Sequence, residues 1–388
     1  MILRLSYILG LMIAGSVLSG CAPTSEICSA IFYQHAGVGF ETYSSGKWTF
    51  EGLDTRVQPR SRPGFYSMNM ILTPFPDPDN LGEHSYCRKS SEKHGVVYTS
   101  RAGHIDLGHV RKMADWTGYL SAKMLEQIEH GKTEFKFKLY EPSRYYVSIT
   151  YPENWEHYSK DEKESIAREV SINLGMYFAY NAGVWHEILT WFDYKPKEIF
   201  SDFESAFAWE DMYSNLLGIL LAEKALHNQG NDFSSCITLY LNEAMKELGA
   251  QPRRTALSIT DQVKGKWFGS KFFFTKVYIR NFDIGLNDGF ITPCRIEDAL
   301  VSQDVEIKSL KLPDWDISKY GFSFKLEIEP REWEKNKILK ATYPDKKNRK
   351  KRITPEIHFP VLMNYIEEDA KKRKNIKIIK SDTYMFHK

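Results

Sequence analysis

The pattern of apolar and polar positions changes several times along the chain, and each change predicts a different element. Apolar residues recur with helical spacing from Asp106 to Glu129, which predicts an amphipathic helix that ends at the basic-then-glycine pair His130-Gly131. Residues 134–139 and 145–151 then alternate polar and apolar side chains around Glu141-Pro142-Ser143. Alternation on both sides of a turn predicts a β-hairpin.

Helical periodicity dominates the middle of the chain. We predict one long helix from Asp161 to Phe192, in which Asn181–Gly183 could introduce a break. A second long helix is predicted from Ala206 to His227. Shorter helices are predicted at Ser235–Leu248, before a glycine stop, and at Ser258–Lys264.

Strand patterning lies on both sides of these helices. Residues 271–328 carry the β-branched and aromatic runs of short strands, and the tail returns to mixed helix and charge. A helix-rich central domain with flanking antiparallel strands is an α+β plan. We therefore divide the chain into a signal peptide, a loop-rich N-terminal segment, a helical core domain that carries the candidate site, and a β-containing C-terminal region with a basic tail: residues 1–20, 21–98, 99–250 and 251–388.

The first residues have the pattern of a bacterial lipoprotein signal. Arg4 precedes an apolar run from Ile8 to Leu18, which is too short to span a bilayer of about 30 Å. The run ends in Leu18-Ser19-Gly20-Cys21, where a small residue stands directly before a cysteine. This lipobox pattern predicts cleavage before Cys21 and anchoring to a lipid bilayer through acyl chains on that cysteine. The alternative is an ordinary secretory signal with a chance cysteine.

The compartment follows from the same segment. Ala22, rather than an aspartate, follows the cysteine, and this predicts an outer-membrane address facing the periplasm. Such a compartment permits disulfides, although an even number of remaining cysteines does not require them. The pairing stays open among Cys28, Cys87, Cys236 and Cys294.

Charge excludes one class of partner. The formal net charge is +2, so the chain has no overall field that would favour nucleic acid. Two basic runs, residues 346–352 and 371–374, interrupt this balance. We interpret them as solvated surface segments, with anionic lipid or lipopolysaccharide as the alternative partner.

Three polar clusters in apolar helical stretches are candidates for chemistry. In the first, Asp106 and His109 are three residues apart and are neighbours on one helix face, whereas Arg111 and Asp115 are four residues apart and can pair. Asp106 also suits a helix N-cap. In the second, His186-Glu187 resembles the start of a zinc-peptidase motif, but Thr190 replaces its second histidine and rules that motif out.

The third cluster is the adjacent acid pair Glu210-Asp211. An apolar run follows it at residues 216–221, so at least one of the two carboxylates is expected to face the protein interior. Taken alone, each cluster has a plain structural explanation. Together they supply imidazoles and carboxylates from three helices, which is what a metal site in a helical protein requires.

These considerations lead to a hypothesis with two alternatives. We expect a divalent metal such as zinc bound by His109, His186, Asp106 and Asp211, with Glu187 or Glu210 activating water and Arg111 binding a substrate oxygen. The first alternative is a non-catalytic envelope lipoprotein in which the same groups form a structural network and a surface patch binds a protein partner. The second is a metal-free lipase or amidase with His109 or His186 as general base.

Several motifs also resemble a known family. VVYTSRAGHIDLGHVRKMADWTGYL, WHEILTWF and SAFAWEDMYSNLLG, with an earlier NLGEHSY, are similar to bacterial envelope lipoproteins known only as a domain of unknown function, over about Ser67 to Gly249. In this family the position of His104 is commonly aromatic, which argues against a site role for His104. No activity is established for this family. The expected substrate, an envelope polymer or lipid, follows only from the predicted location of the protein. The resemblance implies one pattern that includes Asp106, His109, Arg111, His186, Glu187, Glu210 and Asp211, with His84.

Overall fold

Three long helices form the centre of the fold, and short strands lie around them. The computed structural model describes residues 47–59, 74–86, 91–194, 203–228, 230–271, 274–296, 305–373 and 376–379, all within one compact unit, Val38–Lys388. Within these ranges the strands form small sheets, most of them antiparallel pairs. The α+β class predicted from the sequence is confirmed.

The first helix, α1 (Leu107–Glu129), begins where the sequence predicts. Asp106 is its N-cap, because the Asp106 carboxylate accepts the backbone N–H groups of Gly108 at 2.7 Å and His109 at 3.3 Å. The helix ends before His130, whose own N–H donates to the Glu126 carbonyl. Local capping therefore fixes the position of Asp106 at the start of a buried helix.

The second helix, α2 (Lys160–Trp191), is continuous. A capping box formed by Ser159 and Glu162 starts it, and the break considered near Asn181–Gly183 does not occur. The Asn181 side chain instead donates to the Tyr177 carbonyl one turn earlier. This keeps the second half of the helix, with its buried face, intact.

The third helix, α3 (Asp211–His227), begins five residues later than predicted. The segment before it is a 3-10 turn, Phe203–Ser205, followed by Phe207 in a left-handed backbone conformation with φ of 53°. That conformation cannot continue a right-handed helix. The prediction of a helix from Ala206 was therefore wrong at its start, because periodicity does not reveal a backbone angle that tertiary contacts impose.

Close approach joins the three central helices. A Cβ atom on Gly218 of α3 would lie 2.1 Å from the Val110 carbonyl oxygen of α1. A Cβ atom on Gly175 of α2 would lie 2.0 Å from the Ser121 Oγ of α1. Glycine at these two positions thus permits the helices to pack backbone against backbone.

The remaining helices are shorter. The helix predicted at Ser235–Leu248 is found within two residues of its predicted ends, whereas the one predicted at Ser258 begins earlier, directly after Pro252. Proline suits that position because its fixed φ leads into the helix and its missing N–H is not needed there. These helices are α4 (Phe233–Glu247), α5 (Arg253–Gln262), α6 (Lys335–Thr342) and α7 (Pro355–Lys372).

The predicted hairpin is confirmed and gains a third strand. Strand β3 (Glu134–Phe137) pairs antiparallel with β4 (Arg144–Thr150), and β10 (Ser323–Glu329) pairs with the other edge of β4. The other strands are β1 (Val96–Thr99), β2 (Gly103–Asp106), β5 (Phe268–Lys271), β6 (Phe274–Val277), β7 (Ile279–Asn281), β8 (Phe290–Ile291), β9 (Leu310–Lys311) and β11 (Lys377–Ile379).

The main hydrophobic core joins the central helices to the C-terminal part of the chain. Leu326 of β10 and Phe359 of α7 belong to the same core as Trp185 of α2, and the Phe359 and Trp185 rings stack at 6.2 Å. A smaller cluster forms around Trp209 and Tyr98. The side chains of the candidate site are therefore supported by residues from far along the chain.

The predicted N-terminal features lie outside the described residues. They include the signal peptide of residues 1–20, the anchor at Cys21, and the cysteines Cys28 and Cys87. Cys236 is buried in α4. None of the helices in the described ranges has the length and apolarity needed to cross a membrane.

Candidate functional site

Three segments that are distant in sequence bring acidic side chains and a histidine together. His109 Nδ1 lies 3.2 Å from Asp211 Oδ1 and 3.5 Å from Asp106 Oδ2, which joins the start of α1 to the start of α3. Glu187 of α2 reaches the same region, since its carboxylate binds the segment just before Asp211. We call Asp106, His109, Glu187, Glu210 and Asp211 the acid–histidine cluster.

Burial dominates the electrostatics of this cluster. Burial, and next the neighbouring Asp211 carboxylate, raise the pKa of Glu187 to about 6. Burial likewise raises the pKa of Asp211 to about 7, although the charge of Lys112 opposes this. For Glu210, burial and then the Asp211 and Asp106 carboxylates hold the pKa well above its usual value. The carboxylates therefore repel each other inside the protein.

His109 is the imidazole within this group of acids. Burial lowers the pKa of His109 to about 4, with the nearby charge of Lys112 as the next cause. The ring is accordingly neutral at physiological pH, with Nδ1 facing Asp211 and Asp106. His109 keeps 8% of its surface exposed, so the cluster touches solvent at this residue.

Several polar atoms of the cluster have no hydrogen-bond partner among the described residues. These atoms are Asp106 Oδ2, His109 Nδ1 and both carboxylate oxygens of Glu210, which is 1% exposed. Leaving a buried polar group unsatisfied costs about 1–3 kcal/mol. Such groups are rare in native proteins and cluster where function requires them.

The turn that presents Glu210 and Asp211 is held in a strained conformation. Phe207, with its positive φ, donates its N–H to Glu187 Oε2 at 2.6 Å, and its carbonyl accepts the Asn281 N–H at 3.0 Å. The Ala208 N–H donates to Asp211 Oδ2 at 2.8 Å. Backbone strain of this kind persists when the surroundings over-determine it, and it is frequent at functional sites.

Arg280 of β7 supports the same turn from its other side. Its guanidinium donates to the carbonyls of Phe203, Glu204 and Ala206, and the residue is 1% exposed. Burial lowers the pKa of Arg280 to about 10. The sequence analysis missed Arg280, although an isolated arginine in an otherwise apolar strand pattern was an available signal.

His186 does not join the cluster through its Nδ1 atom but pairs with Glu141. His186 Nδ1 and Glu141 Oε1 are 2.8 Å apart, and the His186 side chain is 27% exposed. Burial lowers the pKa of His186, but the Glu141 hydrogen bond and charge outweigh it and raise that pKa overall. Glu141 was missed because an acid in a hairpin turn is ordinary in sequence.

The hairpin turn that carries Glu141 is fixed to α2 and to the C-terminal region. The Ser143 hydroxyl donates to the Glu332 carboxylate at 2.7 Å and accepts the Trp185 indole N–H at 3.0 Å. Trp185 directly precedes His186, so the same contact positions both members of the histidine–carboxylate pair. His186 remains close enough to His109 for its charge to lower the pKa of His109.

The structure places Arg111 in a different, fully buried network. Its Nη2 donates to the Leu81 carbonyl at 2.9 Å, and its Nη1 lies 3.5 Å from Glu92. His84 bridges this network, with Nδ1 at 3.2 Å from Glu92 and Nε2 at 2.9 Å from Asp115. These contacts hold the segment around Leu81 against α1, which favours a structural role for Arg111 over substrate binding.

His104 also lies outside the cluster. The Trp209 indole N–H donates to His104 Nδ1 at 3.2 Å, so the ring proton is on Nε2, which lies 2.9 Å from the Thr260 hydroxyl oxygen. Burial lowers the pKa of His104 to about 3. His104 thus anchors Trp209, the residue before Glu210, as a neutral group.

Metal ligation is not preformed in this arrangement. Within the described ranges, no three His, Cys, Asp or Glu side chains are grouped so that they could hold a metal ion. The predicted ligands Asp106, His109 and Asp211 do lie together, whereas His186 turns its Nδ1 to Glu141.

The fold and the site define an α+β protein with a buried acid–histidine cluster at the junction of three helices. The chain belongs to the family described as protein of unknown function, DUF4056, whose model matches residues 66–287 and hence more than half of the chain. The expected domain of unknown function is thereby confirmed, and the envelope-lipoprotein character stays a prediction. No curated protein and no solved structure matches the chain.

Proposed function

We propose that this protein is a hydrolase, anchored to the cell envelope through Cys21, whose active site is the acid–histidine cluster. The observation that carries the proposal is that Asp106 Oδ2, His109 Nδ1 and both Glu210 oxygens are buried without hydrogen-bond partners among the described residues. Each such atom costs about 1–3 kcal/mol, and four of them lie in one cluster. Bound groups with matching charge or hydrogen-bonding capacity would relieve this cost, which favours a site that binds a ligand.

We propose a divalent metal as this ligand, and because no three side chains are grouped for metal binding in the described ranges, a further donor must move to complete the coordination shell. With metal–ligand bonds of about 2.1 Å, neighbouring donor atoms in a coordination shell are about 3.0–3.5 Å apart. The distances from His109 Nδ1 to Asp211 and Asp106, 3.2 and 3.5 Å, agree with this spacing. A metal bound there would lower the pKa of a water molecule and polarise a carbonyl or phosphoryl oxygen.

We assign the remaining catalytic steps to side chains of the protein. Glu187 and Glu210 lie near the proposed ligands, and Glu187 Oε2 accepts the Phe207 N–H. We assign water activation to these two carboxylates. His186, oriented by Glu141 through Nδ1, presents Nε2 and its partly exposed ring for proton transfer to a leaving group. Envelope polymer or lipid remains the substrate class proposed from the location alone.

A metal-free version of the same hydrolase is a second candidate. It is favoured by the 2.8 Å contact between His186 and Glu141, since a carboxylate on Nδ1 is how many enzymes orient a catalytic histidine. In this version His186 is the general base and the cluster stabilises developing positive charge. The two versions differ in metal content.

Elemental analysis of the mature protein tests the metal. We expect about one equivalent of zinc, manganese or iron in the wild type and less than a tenth of that in His109→Ala and Asp211→Asn, with unchanged circular dichroism. His227→Ala, an exposed histidine on α3, is the matched control. If the folded wild type contains no stoichiometric metal and takes up no added metal, the metal proposal is excluded and the metal-free version remains.

Turnover and anchoring are tested separately. Muropeptides and phospholipids are incubated with the wild type and with Glu187→Gln. If the wild type forms no product from either substrate class, the result supports the non-catalytic alternative.

The lipid anchor has its own test. Cys21→Ser should move the protein from the membrane fraction to the soluble periplasmic fraction. Continued lipid labelling of Cys21→Ser would contradict the proposed anchor.

A further inference from the structure

A cavity separate from the acid–histidine cluster lies behind the turn that presents Glu210. Its volume is about 200 Å³, and it lies between the 3-10 turn, strands β6 and β7, and the end of α7. We propose that this cavity binds a phosphate-bearing group, most favourably a phosphomonoester attached to an apolar chain. The lining residues are Phe203, Glu204, Lys276, Val277, Arg280, Arg373 and Ile376.

The charge of the lining favours a dianion. Lys276, Arg280 and Arg373 are cations and Glu204 is an acid, so these residues together carry a net charge of +2, three minus one. The Lys276 ammonium lies 3.4 Å from Glu204 and the Arg373 guanidinium lies 2.9 Å from Asp369, so among the described residues Arg280 is the lining cation without a carboxylate at salt-bridge distance. A phosphomonoester, which carries a charge of about −1.5 to −2 at neutral pH, would pair with Arg280 and compete with Asp369 and Glu204 for the other two cations.

Arg280 is the buried cation in the lining of the cavity. It is 1% exposed, and the acceptors of its Nη atoms are main-chain carbonyls, which carry no net charge. Its Nε has no hydrogen-bond partner in the described part of the chain. A buried guanidinium with a spare N–H donor is a strong site for a phosphate oxygen, because charge-assisted hydrogen bonds strengthen where water is excluded.

Arg373 provides a second cation at the open side. Its guanidinium lies 4.4 Å from the centre of the Phe203 ring and 5.5 Å from that of Trp191, and it donates to Asp369 at 2.9 Å. Its side chain is 43% exposed, so it can turn toward an entering anion without disturbing the core. Arg373 belongs to the second basic run, which the proposed function leaves without a role.

Apolar side chains explain why the ligand should carry a hydrocarbon portion. Phe203, Val277 and Ile376 line the cavity together with the cations. A free inorganic anion would leave these surfaces in contact with water, whereas an amphiphile would cover them at about 25 cal/mol per Å². The cavity therefore suits a phosphorylated lipid fragment better than phosphate itself.

The cavity and the acid–histidine cluster share one segment of backbone. Arg280 binds the carbonyls of Phe203, Glu204 and Ala206 on the cavity side, and Glu187 binds the Phe207 N–H on the cluster side. An anion on Arg280 would thus be bound to the side chain that supports the segment presenting Glu210. The binding proposal stands without the hydrolase proposal, because it concerns affinity and not turnover.

Isothermal titration calorimetry on the folded mature protein tests the proposal with three probes. The probes are inorganic phosphate, dihexanoyl phosphatidic acid below its micelle concentration, and dihexanoyl phosphatidylcholine. We expect phosphatidic acid to bind at least tenfold more tightly than phosphatidylcholine. Binding of inorganic phosphate with similar affinity would assign the site to free phosphate and exclude the lipid source. Absence of binding by both phosphate probes would overturn the proposal.

Variants locate the binding. Arg373→Gln and Lys276→Gln, both partly exposed, should each weaken phosphatidic acid binding by about tenfold or more, as expected for loss of a charge-assisted hydrogen bond. Lys371→Gln is the matched control, because this exposed lysine of α7 pairs with Glu368 and does not line the cavity. Equal affinity in Arg373→Gln and wild type, or equal loss in the control, would show that the anion binds elsewhere.

Discussion

The Glu187 carboxylate accepts the backbone N–H of Phe207 at 2.6 Å, and this contact joins α2 to the strained turn in front of α3. Phe207 has a φ of 53°, and its neighbours Ala206 and Ala208 are tied to Arg280 and Asp211. Glu187 is therefore both a candidate catalytic group and the support of the turn that presents the other acids. A substitution of Glu187 must be designed to separate these two roles.

Glu187→Gln and Glu187→Ala separate them. The amide oxygen of glutamine can still accept the Phe207 N–H, whereas alanine leaves that N–H buried and unpaired, which costs about 1–3 kcal/mol. We expect Glu187→Ala to lose at least 1 kcal/mol more than Glu187→Gln in urea unfolding, with both variants lacking turnover. Equal stability of the two variants would mean that the contact does not support the turn.

Glu141 should control the protonation of His186. The Glu141 contact raises the pKa of His186 against the effect of burial. In Glu141→Gln that pKa should fall, so the imidazolium form would be lost at a lower pH than in the wild type. Titration of the His186 ring by NMR, in the presence of a chelator, measures this directly. Glu329→Gln, which removes a carboxylate on the same sheet bonded to Tyr146, is the control and should leave the His186 titration in place.

His104 should make folding stability depend on pH. Its pKa falls from 6.5 to about 3 on folding, so below pH 6.5 the unfolded chain binds a proton that the folded chain does not. Stability is therefore lost as the pH falls, by up to about 1.4 kcal/mol per pH unit. His104→Phe removes this contribution.

Urea unfolding between pH 8 and pH 4 checks the His104 prediction. The free energy of unfolding of His104→Phe, relative to wild type, should rise as the pH decreases below 6.5. Thr260→Val is the control, because it removes the partner of His104 Nε2 but keeps the ring, so its difference from wild type should change little with pH. A constant difference for His104→Phe would refute the prediction.

Gly218 should tolerate no side chain. An alanine Cβ there would lie 2.1 Å from the Val110 carbonyl oxygen, so α1 and α3 would have to separate. We expect a loss of about 2 kcal/mol or more in Gly218→Ala, as for overpacked cores. Gly183→Ala is the matched control, since its nearest neighbour is the flexible Met113 side chain at 3.3 Å and alanine favours the helix. Equal unfolding midpoints for the two variants would contradict the close approach.

The network of Arg111 should contribute to stability and not to turnover. The Asp115, His84 and Glu92 side chains are 0% exposed, as is that of Arg111. Removing one charge from such a network costs about 3–5 kcal/mol, so Arg111→Met should lower the denaturation midpoint strongly. Asp54→Asn, in the exposed Arg56 pair, should cost about 0–1 kcal/mol. If Arg111→Met is folded at a permissive temperature but has lost turnover, Arg111 has a role in the active site.

The family match includes the acid–histidine cluster but only part of the proposed phosphate cavity. The family match covers residues 66–287, which include the acid–histidine cluster, Glu141 and Arg280 but not α7. The proposed phosphate cavity combines residues inside the match, such as Arg280, with Arg373 beyond it. The cluster can therefore be compared among family members, whereas the cavity depends on the C-terminal helix of this chain.

Features that depend on neighbouring residues in the chain could be predicted from the amino-acid sequence. The Asp106 cap of α1, the hairpin around Glu141 and the extent of α2 follow from capping, alternation and periodicity, which act over a few residues. The grouping of Asp106 with His109 also followed, because one turn of helix fixes it.

Which of these groups come into contact depends on the tertiary structure. Glu187 bonds Phe207, Phe207 has a left-handed backbone conformation, and α3 starts at Asp211 and not at Ala206. Arg111 turns to the Leu81 segment, and His186 turns to Glu141. Each contact joins segments that are distant along the chain, and its geometry depends on how closely whole helices pack. The distance between packed helices cannot be predicted from a local pattern of side chains.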